Sequence, residues 1–146
     1  LQDMHSLSER LKKLVSQFTH SHRNQFDFEA AKNAHLAWKG RLRSYLDNRS
    51  SLTEEQAVSH KQCYLGKWYY GEGMSKYGEI PEMLQIEGPH AELHATIKEI
   101  VRLKQEGRRE EAERAYLRTE GFSQRIVELL SKVQDHVARQ QRTSKP

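Results

Sequence analysis

Pro89-His90-Ala91-Glu92-Leu93-His94-Ala95-Thr96-Ile97-Lys98-Glu99-Ile100-Val101, followed by Arg102 to Gly107, is the stretch from which the fold is read. Leu93, Ile97, Ile100 and Val101 recur at the spacing of one helical stripe, with charged residues between them. Pro89 suits the first helical position, where its missing N–H is no loss, and Gly107 suits the residue just past the end. The spacing therefore predicts a helix from Pro89 to Gly107. His90 and His94, four residues apart, then project from one face about a turn apart.

The same period governs the flanks. A helix is expected from Asp27, its N-cap, to about Asn48, with Ala31, His35, Trp38, Leu42 and Tyr45 or Leu46 inward. Thr53 and Gln56 form a capping box that predicts a short helix to Ser59. Cys63-Tyr64-Leu65-Gly66-Lys67-Trp68-Tyr69-Tyr70-Gly71-Glu72-Gly73 reads as a short aromatic helix and a turn. A last helix is expected from Arg109 to about Arg139, carrying Ala112, Ala115, Tyr116, Phe122, Ile126, Leu129, Leu130 and Val133, with Gly121 a weak point. Met4, Leu7, Leu11, Leu14 and Phe18 follow an a/d seam, as in the end of a coiled coil, and residues 19–25 read as a polar break. No strand pattern is found. The expectation is an all-α protein: an antiparallel four-helix bundle with a short extra helix, preceded by a coiled-coil helix.

Composition narrows the function. The 146 residues hold 24 Lys+Arg against 20 Asp+Glu, for a net charge of +4. The basic residues are interleaved with acidic ones, as in Lys98-Glu99 and Arg108-Arg109-Glu110-Glu111, which reads as a solvated face and not as a nucleic-acid footprint. At a mean hydropathy of −0.92 the chain contains no apolar run long enough to span a bilayer. The first residues lack the order of a signal peptide, and the start at Leu1 suggests a fragment or a processed product. One Cys excludes an internal disulfide and fits a cytoplasmic setting. Gly66, Gly71 and Gly73 are too irregular for a phosphate loop, and the aromatic residues Trp38, Trp68, Tyr69 and Tyr70 read as core and not as a ligand cage.

The chemistry sits in histidine and cysteine. His-x-x-x-His can present two ligands to one metal, but it is not His-Glu-x-x-His, so the general base of a metalloprotease is missing. His35 falls on an apolar stripe, where it needs a buried partner, and Cys63 opens a helix, where thiolate is favoured. Three imidazoles and one thiolate make a closed tetrahedral set typical of zinc. Spacing leaves two readings open: a zinc site of His35, Cys63, His90 and His94, or a core containing unrelated histidines.

Three segments taken together are more specific: Asn33-Ala34-His35-Leu36-Ala37-Trp38-Lys39-Gly40-Arg41-Leu42, Cys63-Tyr64-Leu65-Gly66-Lys67-Trp68 and Pro89-His90-Ala91-Glu92-Leu93-His94. In this order they resemble the chemoreceptor zinc-binding (CZB) domain over roughly residues 24 to 136. The resemblance implies one zinc ion per chain, held by His35, Cys63, His90 and His94, all present without substitution. It leaves His5, His20, His22, His60 and His136 as solvent-facing bystanders. Leu7-Ser8-Glu9-Arg10-Leu11-Lys12-Lys13-Leu14-Val15-Ser16-Gln17-Phe18 resembles the closing helix of a bacterial methyl-accepting chemotaxis protein. The organisation so implied is a receptor coiled-coil end at 1–20, the zinc-binding bundle at 24–138 and a polar tail at 139–146.

By the same resemblance the chain is a sensory domain and not an enzyme. A zinc-bound Cys63 is a thiolate, the species that two-electron oxidants such as hypochlorous acid convert to sulfenic acid, and no second Cys resolves it. The alternatives are a zinc-level sensor and a purely structural zinc-stapled dimerisation module. The implied partners are a second copy of the chain, and the chemotaxis kinase and coupling protein through the rest of a receptor. Neither nucleic acid nor direct membrane contact is expected, and the setting is cytoplasmic.

Overall fold

A computed structural model describes residues 6–14 and 26–143 of the chain. The order of elements is α1 (Phe28–Leu46), α2 (Tyr64–Trp68), a kinked turn (Tyr69–Gly73), α3 (Met74–Tyr77), α4 (Pro81–Gln105) and α5 (Arg109–Thr143). No strand occurs among the described residues. The all-α class read from the periodicity is the class observed.

Each long helix begins and ends for local reasons. Asp27 caps α1 through a side-chain bond from the Ala30 N–H at 3.0 Å. Between α4 and α5, Gly107 adopts φ +78°. The Gly107 N–H donates to the Lys104 carbonyl at 3.0 Å and the Arg108 N–H to that of Leu103 at 2.9 Å. This paired closure needs a left-handed residue, which glycine supplies without strain. The chain reverses there, and Glu99 pairs with Arg118 while Gln85 pairs with Arg125, so α4 and α5 run antiparallel. Along α1, Lys32 reaches Gln134, Lys39 reaches Glu120 and Arg43 reaches Glu113, so α1 is antiparallel to α5 as well.

The core lies where the apolar stripes of these helices meet. Leu42 and Leu46 of α1, Met83, Ile86, Leu93, Ile97 and Ile100 of α4, and Ile126, Leu129 and Leu130 of α5 are all fully buried. Each such side chain contributes about 1.5–3 kcal/mol on removal from water. The fourth layer is the segment from α2 to α3. Tyr69 Oη fastens it to α4 by donating to the Met83 carbonyl at 2.7 Å. Phe26 stacks on Trp68 with centroids 3.9 Å apart and ties it to the entry of α1.

Two local expectations are corrected. Pro89 does not start its helix: Pro81 stands in the first turn and Pro89 lies inside α4. A proline in a helix interior costs about 3 kcal/mol. Burial of Met83 and Ile86 before it, and of His90 and Leu93 after it, on one continuous face offsets that cost. The Thr53–Gln56 capping box forms both of its reciprocal bonds, at 3.0 and 3.2 Å, yet leads into a turn and no helix. The chain instead buries Ala57 and turns the Val58 carbonyl toward His94.

At the ends, α5 continues to Thr143 and passes through Gly121 without a break. Residues 6–14 are helical, with Leu7, Leu11 and Leu14 exposed. Met4, Phe18, the 19–25 segment and His5, His20 and His22 lie outside the described residues.

Candidate metal centre

His35 comes from the middle of α1, Cys63 from the cap of α2, and His90 and His94 from successive turns of α4. One ligand atom from each of the four residues lies within 4.8 Å of the other three. A tetrahedral zinc with three nitrogens and one sulfur has ligand–ligand edges of about 3.3–3.6 Å, from bond lengths of about 2.0–2.3 Å. The Cys63 Sγ to His90 Nε2 separation of 3.2 Å is already at that scale. The three histidines are 1–3 % exposed, whereas Cys63 is only half-buried. Cys63 is therefore the one residue of the set with appreciable solvent-exposed surface.

Hydrogen bonds orient the rings. His35 Nδ1 donates to the Ala31 carbonyl at 2.7 Å, and His94 Nδ1 donates to the Val58 carbonyl at 2.8 Å. Each bond places the proton on Nδ1 and leaves the Nε2 lone pair free. Both Nε2 atoms are buried without any hydrogen-bond partner. An orphaned buried polar atom forfeits about 1–3 kcal/mol, and two of them converging beside a thiol are what a cation would satisfy.

Electrostatics favours the same donor set. Burial lowers the proton affinity of all three imidazoles. His90 is driven to about 2, by burial first and then by the neighbouring His35, and His94 to about 4 by burial. His35 moves in the same direction for the same reason. The rings are therefore neutral at pH 7 and keep their lone pairs. Burial pushes the Cys63 thiol up, against the Gly66 and Leu65 N–H groups that favour its anion. A divalent cation reverses that balance, because a coordinated thiol gives up its proton.

The sequence around Cys63 builds its position. Cys63 is the N-cap of α2, and its Sγ accepts from the Gly66 N–H at 3.4 Å. A Cβ on Gly66 would stand 1.8 Å from the His60 carbonyl oxygen, so only glycine lets the 60–63 turn sit this close to the helix. Trp38 lies edge-on to His94 at 6.3 Å, with the Arg41 guanidinium 4.1 Å over its outer face. Trp38 and Tyr69 are buried in the core as expected, whereas Tyr70 is exposed.

All four expected residues are thus brought together. Two of the remaining histidines are described. His136 faces Glu82 at 3.5 Å and is partly exposed. His60 departs from the expected bystander role: its Nε2 is buried and unpartnered, and its ring lies 5.6 Å from that of His90. No spacing rule points to it, since a residue in an irregular turn carries no periodic signal.

Residues 35–101 match the family model of the chemoreceptor zinc-binding domain, a span that includes all four clustered residues and bears out the resemblance read from the motifs. No curated protein and no solved structure matches the chain.

Proposed function

We propose that the chain is a sensory domain of a chemoreceptor, in which His35, Cys63, His90 and His94 bind one zinc ion and the Cys63 thiolate is the reactive atom. The observation that carries the reading is the pair of orphaned Nε2 atoms of His35 and His94, which cluster with His90 beside the sulfur of half-buried Cys63. Bound zinc supplies the positive charge that keeps Cys63 ionised at neutral pH. The protein supplies the rest. The Ala31 and Val58 carbonyls fix two imidazole tautomers, and the Gly66 N–H steadies the sulfur.

Oxidation acts on the α2 segment. The thiolate attacks the oxygen-transferring oxidant: RS⁻ + HOCl gives RSOH + Cl⁻, with sulfur losing two electrons and chlorine gaining them. The sulfenic acid has lost its negative charge, so Cys63 is no longer held against the three histidines. The 60–63 turn then loses its inner anchor, while the segment behind it stays attached through the Phe26–Trp68 stack and the Tyr69–Met83 hydrogen bond. The readout we assign is movement of α2, passed to the 1–20 region and on to a chemotaxis kinase and coupling protein. The domain organisation that serves this is a coiled-coil end at 1–20, a bundle at 24–138 and a tail at 139–146, in a homodimer on the cytoplasmic side. No helix among the described residues is long and apolar enough to cross a membrane. No catalytic role is assigned, because four protein ligands leave zinc no position for water.

Mass spectrometry after dilute hypochlorous acid tests the reading. Modification of Cys63 in the zinc-loaded protein, with a change in helix content, is the expected result. A Cys63 left intact under conditions that oxidise free thiols would reduce the site to a structural staple.

A further inference from the structure

His60 is the histidine the four-residue set leaves out, yet like His35 and His94 it carries a buried ring nitrogen with no hydrogen bond. Its Nε2 is buried with no hydrogen-bond partner, a condition shared among the described histidines only with His35 and His94. The nearest carboxylate oxygen, Glu87 Oε1, is 3.7 Å away, beyond hydrogen-bond reach. The ring stands edge-on to His90 at 5.6 Å and also against Tyr70 at 5.8 Å. His60 and Cys63 share one turn, joined by the Cys63 thiol donating to the His60 carbonyl at 3.5 Å. A fourth imidazole, its Nε2 without a hydrogen bond, is therefore carried on the very turn that the sulfur anchors.

We propose that His60 is a reserve metal ligand, which replaces Cys63 beside His35, His90 and His94 when the sulfur is oxidised or removed. The proposal rests on the zinc–thiolate reading above. Oxidation consumes one thiolate and one two-electron oxidant, leaving a sulfenic acid and, from hypochlorous acid, chloride. The metal loses one sulfur bond and gains one nitrogen bond, so it keeps four donors. Exchange of an anionic ligand for a neutral imidazole raises the charge of the centre by one and loosens binding without emptying the site. Recovery then needs only a thiol reductant to regenerate the Cys63 thiolate, which displaces His60 with no fresh supply of metal. The movement of the 60–63 turn is the conformational output and the ligand exchange at once.

Cobalt(II) loaded into the full chain separates the outcomes. Cobalt gives a near-ultraviolet sulfur-to-metal charge-transfer band and visible ligand-field bands whose strength reports four-coordination. One equivalent of hypochlorous acid should abolish the charge-transfer band while the visible bands of the wild type persist at shifted wavelength. In His60→Phe, which keeps a ring against His90 and Tyr70 but has no nitrogen, the oxidised centre has only three protein donors. A competing chelator should bleach its visible bands at least tenfold more readily than those of the oxidised wild type. His60→Ala should do the same. Visible bands that bleach alike, or survive alike, in the wild type and in both variants would overturn the proposal. Absence of any charge-transfer band before oxidation would instead overturn the zinc–thiolate reading. If oxidant leaves that band intact, the Cys63→Ala chain decides. Adding His60→Phe to it should weaken zinc binding at least tenfold, and unchanged affinity would overturn the reserve role.

Discussion

The behaviour of single residues follows from what each atom faces. Cys63→Ser removes the thiolate but keeps a small polar side chain, so the fold should persist while zinc affinity falls at least tenfold, as read by competition with a chelating dye. Gly66→Ala is a different kind of change. Its Cβ meets a backbone carbonyl and no flexible side chain, so the turn carrying Cys63 must move. A loss of about 2–4 kcal/mol in denaturant unfolding is expected, with weakened metal binding. For the metal-free protein, the proton affinities of His90 and His94 lie below the 6.5 of an exposed imidazole, at about 2 and about 4. The unfolded chain therefore takes up more protons than the fold once the pH drops below 6.5, and stability must fall with it. Full stability should be seen above about pH 6.5, with a progressive loss toward pH 4 in thermal melts at constant ionic strength. A melting temperature that rose over that interval would contradict the burial of these rings.

Among the elements, α1 was the most legible, because its stripe of Ala31, His35, Trp38, Leu42, Tyr45 and Leu46 is regular and Asp27 is a strong cap. The close of α4 at Gly107 was equally plain, since a glycine after the last apolar turn has one common use. Periodicity opens α4 at Pro89, eight residues past its start at Pro81, because Pro81 after Tyr77-Gly78 reads as punctuation and only packing shows that Pro89 is interior. The Thr53 box illustrates the same limit: local bonds form as the motif predicts, but the chain after them follows a tertiary demand, the carbonyl for His94. Of the site, the four clustered residues were readable through motif order, whereas His60 was invisible in an irregular turn. The kink at Tyr69–Gly73 was also beyond reach. Gly71 leaves helical geometry there, at φ −112°, ψ −106°, and the Trp68 ring lies where a Cβ on Gly73 would come within 2.9 Å. Gly73→Ala should therefore displace the Trp68 indole. A shift of tryptophan fluorescence toward the red is expected, with little change at the other helices.

At the level of the whole molecule, three long helices, α1 and α4 each antiparallel to α5, form a frame that stands on apolar packing, and the α2–α3 segment is the layer held by chemistry as well. The frame has its own core in Leu42, Leu93, Ile97, Ile126 and Leu130. Removal of metal should therefore leave α1, α4 and α5 folded and loosen α2. Hydrogen exchange should show the amides of residues 64–68 losing protection on chelation, while those of 93–101 keep theirs. The exposed Leu7, Leu11 and Leu14 of the 6–14 helix form the seam by which a second copy is proposed to pair. Mixed-sign pairs such as Arg43 with Glu113 and Asp47 brace the frame at its surface and contribute little each. The central claim is that His35, Cys63, His90 and His94 together hold one zinc ion, and metal analysis of purified protein tests it most directly. The wild type should contain one zinc per chain and His94→Ala far less, whereas equal zinc content in the two would contradict the assignment.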